Sequence, residues 1–185
     1  MKIIGSRWRS FEYLPVAAGP GAVALPPGAV RTPRRFFDCL LVRLVVEPGD
    51  GPATAAAVRA VRKLCADSDA SFIVLTGSPH CAAVGSRSVL AGDPPDILTD
   101  IADTLDILAE VADRLEEHGE RVHLIPFGWN LDCRLEEPQP AWASTTLTLK
   151  APADRPVPAP RGRPHCPHAL ISARSNRARI FRRPR

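Results

Sequence analysis

The sequence predicts an α/β (α+β) fold in which two main helices pack on one β-sheet. Apolar residues recur at helical spacing in two stretches, about residues 53–67 and 96–118. Around these stretches lie short runs rich in β-branched and aromatic residues, which favour strands. The order is roughly two strands, a helix, a strand, a helix and three strands. That order is typical of helices packed on a sheet.

The strand predictions depend on apolar runs that end at glycine or proline. Dense runs predict buried strands over residues 36–46, 71–75 and 122–127. Weaker signals predict a strand over residues 2–4, which residues 11–13 either continue or follow as a second strand, and further strands over 130–135 and 142–149. The Gly-, Pro- and Ala-rich stretch from Pro15 to Pro33 predicts a loop, as does Thr76 to Cys81 after the second dense run.

The helix over 96–118 is the clearest local pattern in the sequence. Its apolar face repeats every three or four residues, and its opposite face carries six acidic residues against the single Arg114. Asp93 or Asp96 is placed to cap its start, and Gly119 its end. The spacing favours a solvated acidic face over a metal site. Because this face repels phosphates, RNA is expected to dock elsewhere.

Composition divides the 185 residues into one folded domain, 1–150, and a Pro/Arg-rich basic tail, 151–185. The tail carries nine Arg against Asp154, so the net charge of +4 conceals a domain at −4. Few bulky apolar residues lie in the tail, which predicts disorder. Two interpretations of its arginines are open, namely sequence-independent contact with RNA phosphates or simple solvation.

The number of cysteines and the length of the apolar runs indicate the cellular compartment of the protein. The five cysteines are an odd, unclustered set, which fits a reducing compartment better than a disulfide framework. No apolar run approaches the roughly 20 residues that span a bilayer. We therefore expect a soluble cytoplasmic protein without a membrane partner. His165 to His168 holds three donor side chains but lacks a second cluster, so we expect no metal.

Four segments, in this order and spacing, carry a resemblance to a known family. They are Met1–Ile4 with Phe11–Tyr13, Ile73–Leu75 running to His80, Asp96–Leu98 opening the long helix, and Ile125-Pro126-Phe127-Gly128-Trp129. Over residues 1–149 the chain resembles the archaeal-type editing domain of threonyl-tRNA synthetases, which shares its fold with D-aminoacyl-tRNA deacylases. The last segment matches best, because the family signature there reads Pro-Phe-Gly followed by Trp or Tyr.

The resemblance implies a D-aminoacyl-tRNA deacylase-like sheet and a free-standing aminoacyl-tRNA deacylase that hydrolyses misacylated, seryl-type threonine tRNA in trans. It implies His80 as a catalytic residue. It implies a substrate-binding set of Pro79, Phe127, Gly128, Trp129 and Asn130. The implied partner is the aminoacylated 3′ end of a tRNA, with a homodimer and with no metal or cofactor.

Departures from the family pattern leave a second hypothesis open. Where the family has tyrosine and lysine after the signature, this chain has Asn130 and Leu131, in a register open by one or two residues. The family's Gly-His-Pro turn reads Gln139 to Ala141 here, and its glutamate falls at about Ser144. Each lost general base or charge-stabilising donor costs about 10²–10⁴ in rate. The alternative is a catalytically degenerate module that binds an aminoacyl-tRNA 3′ end or a small amino-acid-like ligand.

The candidate site residues also have plainer interpretations. His80 either lines an aminoacyl pocket or is an exposed loop histidine beside Cys81. Trp129 either stacks on the terminal adenine or packs at a strand end. Asn130 either hydrogen-bonds a ligand or belongs to a turn.

Overall fold

A computed structural model describes residues 1–19, 21–79, 94–138 and 144–150, and gives no side chains for 94–97 and 137–138. The strands are β1 Lys2–Ala18, β2 Arg34–Val46, β3 Phe72–Pro79, β4 Val122–Leu124, β5 Trp129–Pro138 and β6 Thr145–Thr148. The helices are α1 Thr54–Ser68 and α2 Pro94–Glu117, with short 3-10 turns at Pro27–Ala29 and Gly51–Ala53. The mixed α/β class is confirmed. His80 and the tail 151–185 lie outside the described residues.

The strands form one mixed six-stranded sheet in the order β4-β3-β2-β1-β5, with β6 also paired to β1. β2, β3 and β4 are parallel, whereas β1 pairs antiparallel with β2, β5 and β6. The steps from β2 to β3 and from β3 to β4 run in the same direction across the sheet. Because such crossovers are right-handed, α1 and α2 lie on the same face, and they contact each other.

The helix-covered face contains the larger core. Residues Val58, Val61, Leu64 and Cys65, the predicted apolar stripe of α1, are all buried there. They pack with α2 and with alternate residues of the sheet, including Ile3, Leu40, Val42, Leu44, Ile73, Leu75, Leu108, Val111 and Leu115. Burial at period two in the strands and at helical spacing in the helices is the pattern that the sequence indicated.

Strand β3 is longer than expected, so the prediction of a loop from Thr76 was wrong. Residues Thr76 to Pro79 continue the parallel ladder with β2, and Pro79 is buried. Gly77 is part of the strand because α2 passes directly over it. A Cβ built there would lie 2.8 Å from the Leu108 side chain. The glycine therefore marks a close helix–strand approach instead of a turn.

Strand β1 also exceeds its expected length, because it continues past Pro15 to Ala18. The predicted loop therefore begins later than Pro15. At this end β1 pairs only with β5, and the register shifts between Pro15 and Ala17. Proline lacks the N–H that a regular ladder uses, so an irregularity is where a strand tolerates it.

A smaller aromatic core lies on the sheet face opposite the helices. Its buried members are Phe11, Tyr13, Cys39, Val74 and Ile125, and Trp8, Phe36, Leu41, Phe72 and Leu131 pack against them. Val74 alternates with Ile73 and Leu75 of the helix-covered core, so the two cores lie on opposite faces. This cluster is called the aromatic core below.

The aromatic core exists because β1 and β2 reverse their side-chain alternation. Trp8 and Phe11, three residues apart, both pack into it, whereas a regular strand would point them to opposite faces. The β1–β2 register goes from Trp8 opposite Cys39 directly to Ser10 opposite Phe37, and Asp38 between them has a φ of 56°. After this irregularity, the odd-numbered residues of β1, such as Phe11 and Tyr13, point away from the helices.

The buried Arg7 guanidinium holds the chain together at this irregularity. It forms an ion pair with Asp38, and its Nε and a terminal nitrogen donate to the carbonyls of Ser68 and Asp69, each at 3.1 Å. Those carbonyls end α1, so a cation there also complements the helix dipole. Ser71, immediately before β3, donates through its hydroxyl to Asp38 at 2.9 Å. One side chain thus links β1, β2 and the end of α1.

We expect Asp38→Asn to destabilise the fold by about 1–3 kcal/mol, because it leaves the buried Arg7 cation without its counter-charge. Asparagine accepts the left-handed backbone at this position, so the substitution isolates the charge. The control is Asp67→Asn, which loses only an exposed pair with Lys63 and is expected to cost under about 0.5 kcal/mol. Urea unfolding measures both values, and equal losses would contradict the role assigned to Arg7.

Candidate functional site

The candidate site lies where the parallel strands β3 and β4 end. Leu75 pairs with Leu124, and the Ile125 amide donates to the Leu75 carbonyl at 2.8 Å. β4 therefore leaves the ladder beside Leu75, whereas β3 continues beside β2 for four more residues to Pro79. Pro79, buried at the end of β3, leads to His80, and Ile125 leads to the Pro-Phe-Gly-Trp segment. Carboxyl ends of parallel strands are the usual place for ligand sites in such sheets.

The Pro-Phe-Gly-Trp segment holds the chain that follows β1. The Phe127 carbonyl accepts from the Val23 amide at 3.1 Å, and the Gly128 carbonyl accepts from the Gly19 amide at 2.9 Å. Gly128 has a φ of 77°, and a Cβ there would lie 2.6 Å from the Ala22 Cα. Glycine is required at this position both by its backbone angle and by the close approach of a second chain.

Two predicted substrate-binding aromatics have contacts inside the protein. Phe127 is half-buried against the helix-covered core. Trp129 begins β5 beside Ala18, and its indole N–H donates to the Val23 carbonyl at 2.8 Å. The indole N–H therefore already has a partner inside the protein, so Trp129 can contact a ligand only through its ring. Binding by these residues, by Gly128 and by Pro79 stays a prediction.

The residues after the signature belong to a strand. Asn130 is exposed and pairs with Ala17 in the ladder, so the interpretation as a turn residue was wrong. Leu131, at the position of the family's lysine, pairs with Pro15 and packs against the aromatic core. Ser144 is exposed just before β6, and Gln139 to Ala141 lie outside the described residues.

A pocket of about 220 Å³ opens beside the signature. Its lining is mostly apolar and includes Tyr13, Pro15, Leu25, Pro26, Ala29, Arg34, His123, Leu124 and Pro126. The segment between β1 and β2 forms one wall, and the end of β4 forms another. The volume is below the 300–1,000 Å³ of most ligand pockets, so a small group fits it best.

A tyrosine–histidine pair lies at one side of this pocket. The Tyr13 hydroxyl and His123 Nε2 are 2.7 Å apart, and the His123 ring lies 4.7 Å from the Phe36 ring. Burial lowers the pKa of His123 to about 4, with a further contribution from the Arg34 charge. Burial also raises the pKa of Tyr13. Both groups are therefore neutral at neutral pH, which suits them to polar binding in an apolar wall.

Sequence reasoning did not identify His123 or Tyr13 as site residues. The available signal was a histidine inside an otherwise apolar strand, Val122 to Ile125, since such a histidine needs a partner when it is buried. Its partner lies 110 residues earlier in the chain, and the sequence alone does not pair them. Arg34, the first residue of β2, was not identified either.

A pocket of about 330 Å³ lies elsewhere and has the wrong charge for a nucleic acid. It lies between the end of β2 and α2 and is lined by five carboxylates, those of Glu47, Asp50, Asp103, Asp106 and Glu110. Three of these residues belong to the acidic face of α2. Such a lining repels phosphates, so the smaller pocket beside the signature is the better candidate despite its size.

Comparison with known proteins adds no relative. A scan of protein-family models matches no family, and a search of curated proteins finds no match. The resemblance therefore depends on the residues quoted above. In the parts of the chain that the structure describes, neither helix is long and apolar enough to cross a bilayer.

We expect Gly128→Ala to destabilise the protein by about 3 kcal/mol, because it adds a backbone clash to left-handed strain. Gly119→Ala is the matched control. Gly119 has a φ of 83°, yet a Cβ there meets nothing within 4 Å, so only the strain of about 1 kcal/mol is expected. Chemical denaturation measures both. Equal losses would mean that the contact of Gly128 with Ala22 is unimportant.

Stability should fall as pH drops from 6.5 towards 4, and His123 should be one cause. The folded pKa of about 4 lies below the unfolded value of 6.5, so within this window the unfolded chain binds the extra proton. His123→Gln removes this titration. The measurement is the urea midpoint from pH 7 to pH 5, and the variant should have the flatter profile. Parallel profiles would contradict a buried neutral His123.

Proposed function

We propose that this chain is a relative of the synthetase editing domains and that it hydrolyses misacylated tRNA. The aminoacylated 3′ end would bind where β3 and β4 end. The observation that carries the proposal is that two segments lie at the carboxyl ends of neighbouring parallel strands. The two parts that resemble the family's site are Pro79, which ends β3 and precedes His80, and the Pro-Phe-Gly-Trp segment, which follows β4.

The small pocket supports a small aminoacyl group, such as the seryl group of a mischarged threonine tRNA. Pro126 belongs both to the signature and to the pocket wall, so a ligand held by the signature has direct access to it. Tyr13 and His123 offer neutral hydrogen-bonding atoms there, and Arg34 offers a positive charge for an oxygen of the ester or ribose.

In this proposal His80 is the catalytic residue. Pro79, Phe127, Gly128, Trp129 and Asn130 bind the substrate, with the half-buried Trp129 ring as the surface on which the terminal adenine stacks. The phosphates of the acceptor stem keep away from the acidic face of α2. We propose that the arginine-rich tail also contacts the phosphates of the tRNA.

A second candidate function is binding without hydrolysis. Leu131 supports it, because an apolar side chain packed on the aromatic core occupies the position of the family's lysine. The neutral state of His123 supports it too, since an imidazole with a pKa of about 4 is a weak general base at neutral pH. In this alternative the same edge holds an aminoacyl-tRNA 3′ end or a small amino-acid-like ligand.

The hydrolytic proposal predicts release of serine from seryl-tRNA charged on threonine tRNA, above the rate in buffer. His80→Ala should lower this rate about 10²–10⁴-fold, the usual effect of losing a general base or charge-stabilising donor. The control is His118→Ala, a substitution at an exposed residue just after α2, which should leave the rate unchanged. A wild-type rate equal to that of buffer would reject hydrolysis.

Binding is measured separately with a 3′-amide analogue of seryl-adenosine, which the protein cannot hydrolyse. Tryptophan fluorescence should saturate during the titration, and Trp129→Phe should remove most of the signal change. Trp8→Phe serves as the control, because Trp8 lies on the aromatic core and its indole donates to Ser6. Saturation without turnover would select the second candidate. No saturation would reject both.

A further inference from the structure

Another pocket, of about 250 Å³, lies on the opposite face of the sheet from the pocket beside the signature. Its lining residues are Glu12, Leu14, Arg31, Pro33, Asp132 and Arg134. Glu12 and Leu14 flank Tyr13 along β1, and successive side chains of a strand point to opposite faces. Since Tyr13 lines the pocket beside the signature, the two pockets open on different faces.

Hydrogen-bonded backbone positions three charged side chains around this pocket. Asp132 and Arg134 lie two residues apart in the β1–β5 ladder, so they point to the same face. Arg31 reaches the pocket from the segment between β1 and β2, where its amide donates to the Pro15 carbonyl at 2.9 Å. Because the backbone of all three residues is already ordered, binding a ligand costs less conformational entropy than it would on a free loop.

These three charges are without partners in the described part of the chain. The fourth charged residue, Glu12, is already neutralised, because Arg35 donates to its carboxylate through Nε and a terminal nitrogen, each at 2.7 Å. Within the described residues, no ion pair or hydrogen bond joins the side chain of Arg31, Asp132 or Arg134 to another residue. The pocket therefore has two positive charges and one negative charge available for a ligand.

This set of charges matches a free amino acid with an acidic side chain. A guanidinium binds a carboxylate through paired N–H groups, and an aspartate accepts hydrogen bonds from an ammonium group. Glutamate carries two carboxylates and one ammonium group, so it offers a partner to each of the three charges. A phosphate, in contrast, is repelled by Asp132. An ester-linked aminoacyl group lacks the α-carboxylate, so the pocket favours the free amino acid over the ester.

We propose that Arg31, Asp132 and Arg134 form a binding site for a free acidic amino acid. The two arginines bind its carboxylates, and Asp132 binds its ammonium group. All three side chains are exposed, so solvent and salt weaken each ion pair, and we expect a dissociation constant on the order of 1 mM at low salt. This site lies on a different face of the sheet from the proposed hydrolytic site and does not depend on that function.

The test is a titration of the full chain with sodium glutamate, followed by the amide NMR signals of β5 and corrected with equal concentrations of sodium chloride. These signals should shift and saturate. Glutarate has both carboxylates but no ammonium group, and it should bind about threefold to tenfold more weakly. The dimethyl ester of glutamate keeps only the ammonium group and should not saturate.

Variants assign the two ends of the ligand. Arg134→Gln should weaken glutamate binding about threefold to tenfold, because it removes a partner of a carboxylate. Asp132→Asn should also weaken glutamate binding but should not weaken glutarate binding, because it removes only the partner of the ammonium group. The matched control is Arg59→Gln, an exposed residue of α1 outside this pocket, which should leave glutamate binding unchanged. Unfolding curves for each variant ensure that a loss of binding is not a loss of fold.

Two kinds of result would overturn the proposal. Equal affinities for glutamate, glutarate and inorganic phosphate would mean that Asp132 selects nothing. No saturation up to about 20 mM glutamate, or an equal loss of affinity from Arg59→Gln and Arg134→Gln, would mean that the pocket is not a specific site.

Discussion

The ion pair between Arg7 and Asp38 is the interaction on which the arrangement of the sheet depends. A guanidinium that is only 4% exposed must be neutralised, and Asp38 does so from a backbone position of positive φ. That same irregularity reverses the alternation of β1 and β2, so the sheet has apolar residues on both faces. One face takes the two helices, and the other takes the aromatic core with its tyrosine–histidine pair.

The end of the sheet at which the parallel strands finish depends on these two cores on opposite faces. β3 and β4 lie side by side up to Leu75 and Leu124 because the helix-covered core fixes Ile73 and Leu75 while the aromatic core fixes Val74 and Ile125. The Pro-Phe-Gly-Trp segment then clamps the chain after β1 through two backbone hydrogen bonds and one indole bond. Much of the signature is therefore occupied in holding the walls of the small pocket. A protein can therefore keep such a motif for its structural role, whether or not it keeps the chemistry of the site.

Local patterns were enough to predict the elements. The helices were expected over 53–67 and 96–118 and span Thr54–Ser68 and Pro94–Glu117, because apolar spacing, and for α2 the glycine after its end, are properties of neighbouring residues. The errors came from distant contacts. Gly77 was interpreted as a loop residue because nothing nearby in sequence indicates that Leu108 packs over it. Pro15 was interpreted as a strand end because its partner Leu131 lies more than 100 residues away.

In the candidate site, too, local sequence predicted one part, and distant contacts decided the rest. Sequence alone pointed to the signature, but the internal partners of Trp129 and Gly128 and the pairing of Tyr13 with His123 required the fold. The most direct test of the account is a crystal structure of the full chain with the 3′-amide analogue of seryl-adenosine. We predict the ligand where β3 and β4 end, with adenine on the Trp129 ring and the seryl group towards Tyr13 and His123. A ligand bound in the acidic pocket beside α2, or none bound at saturating concentration, would contradict it.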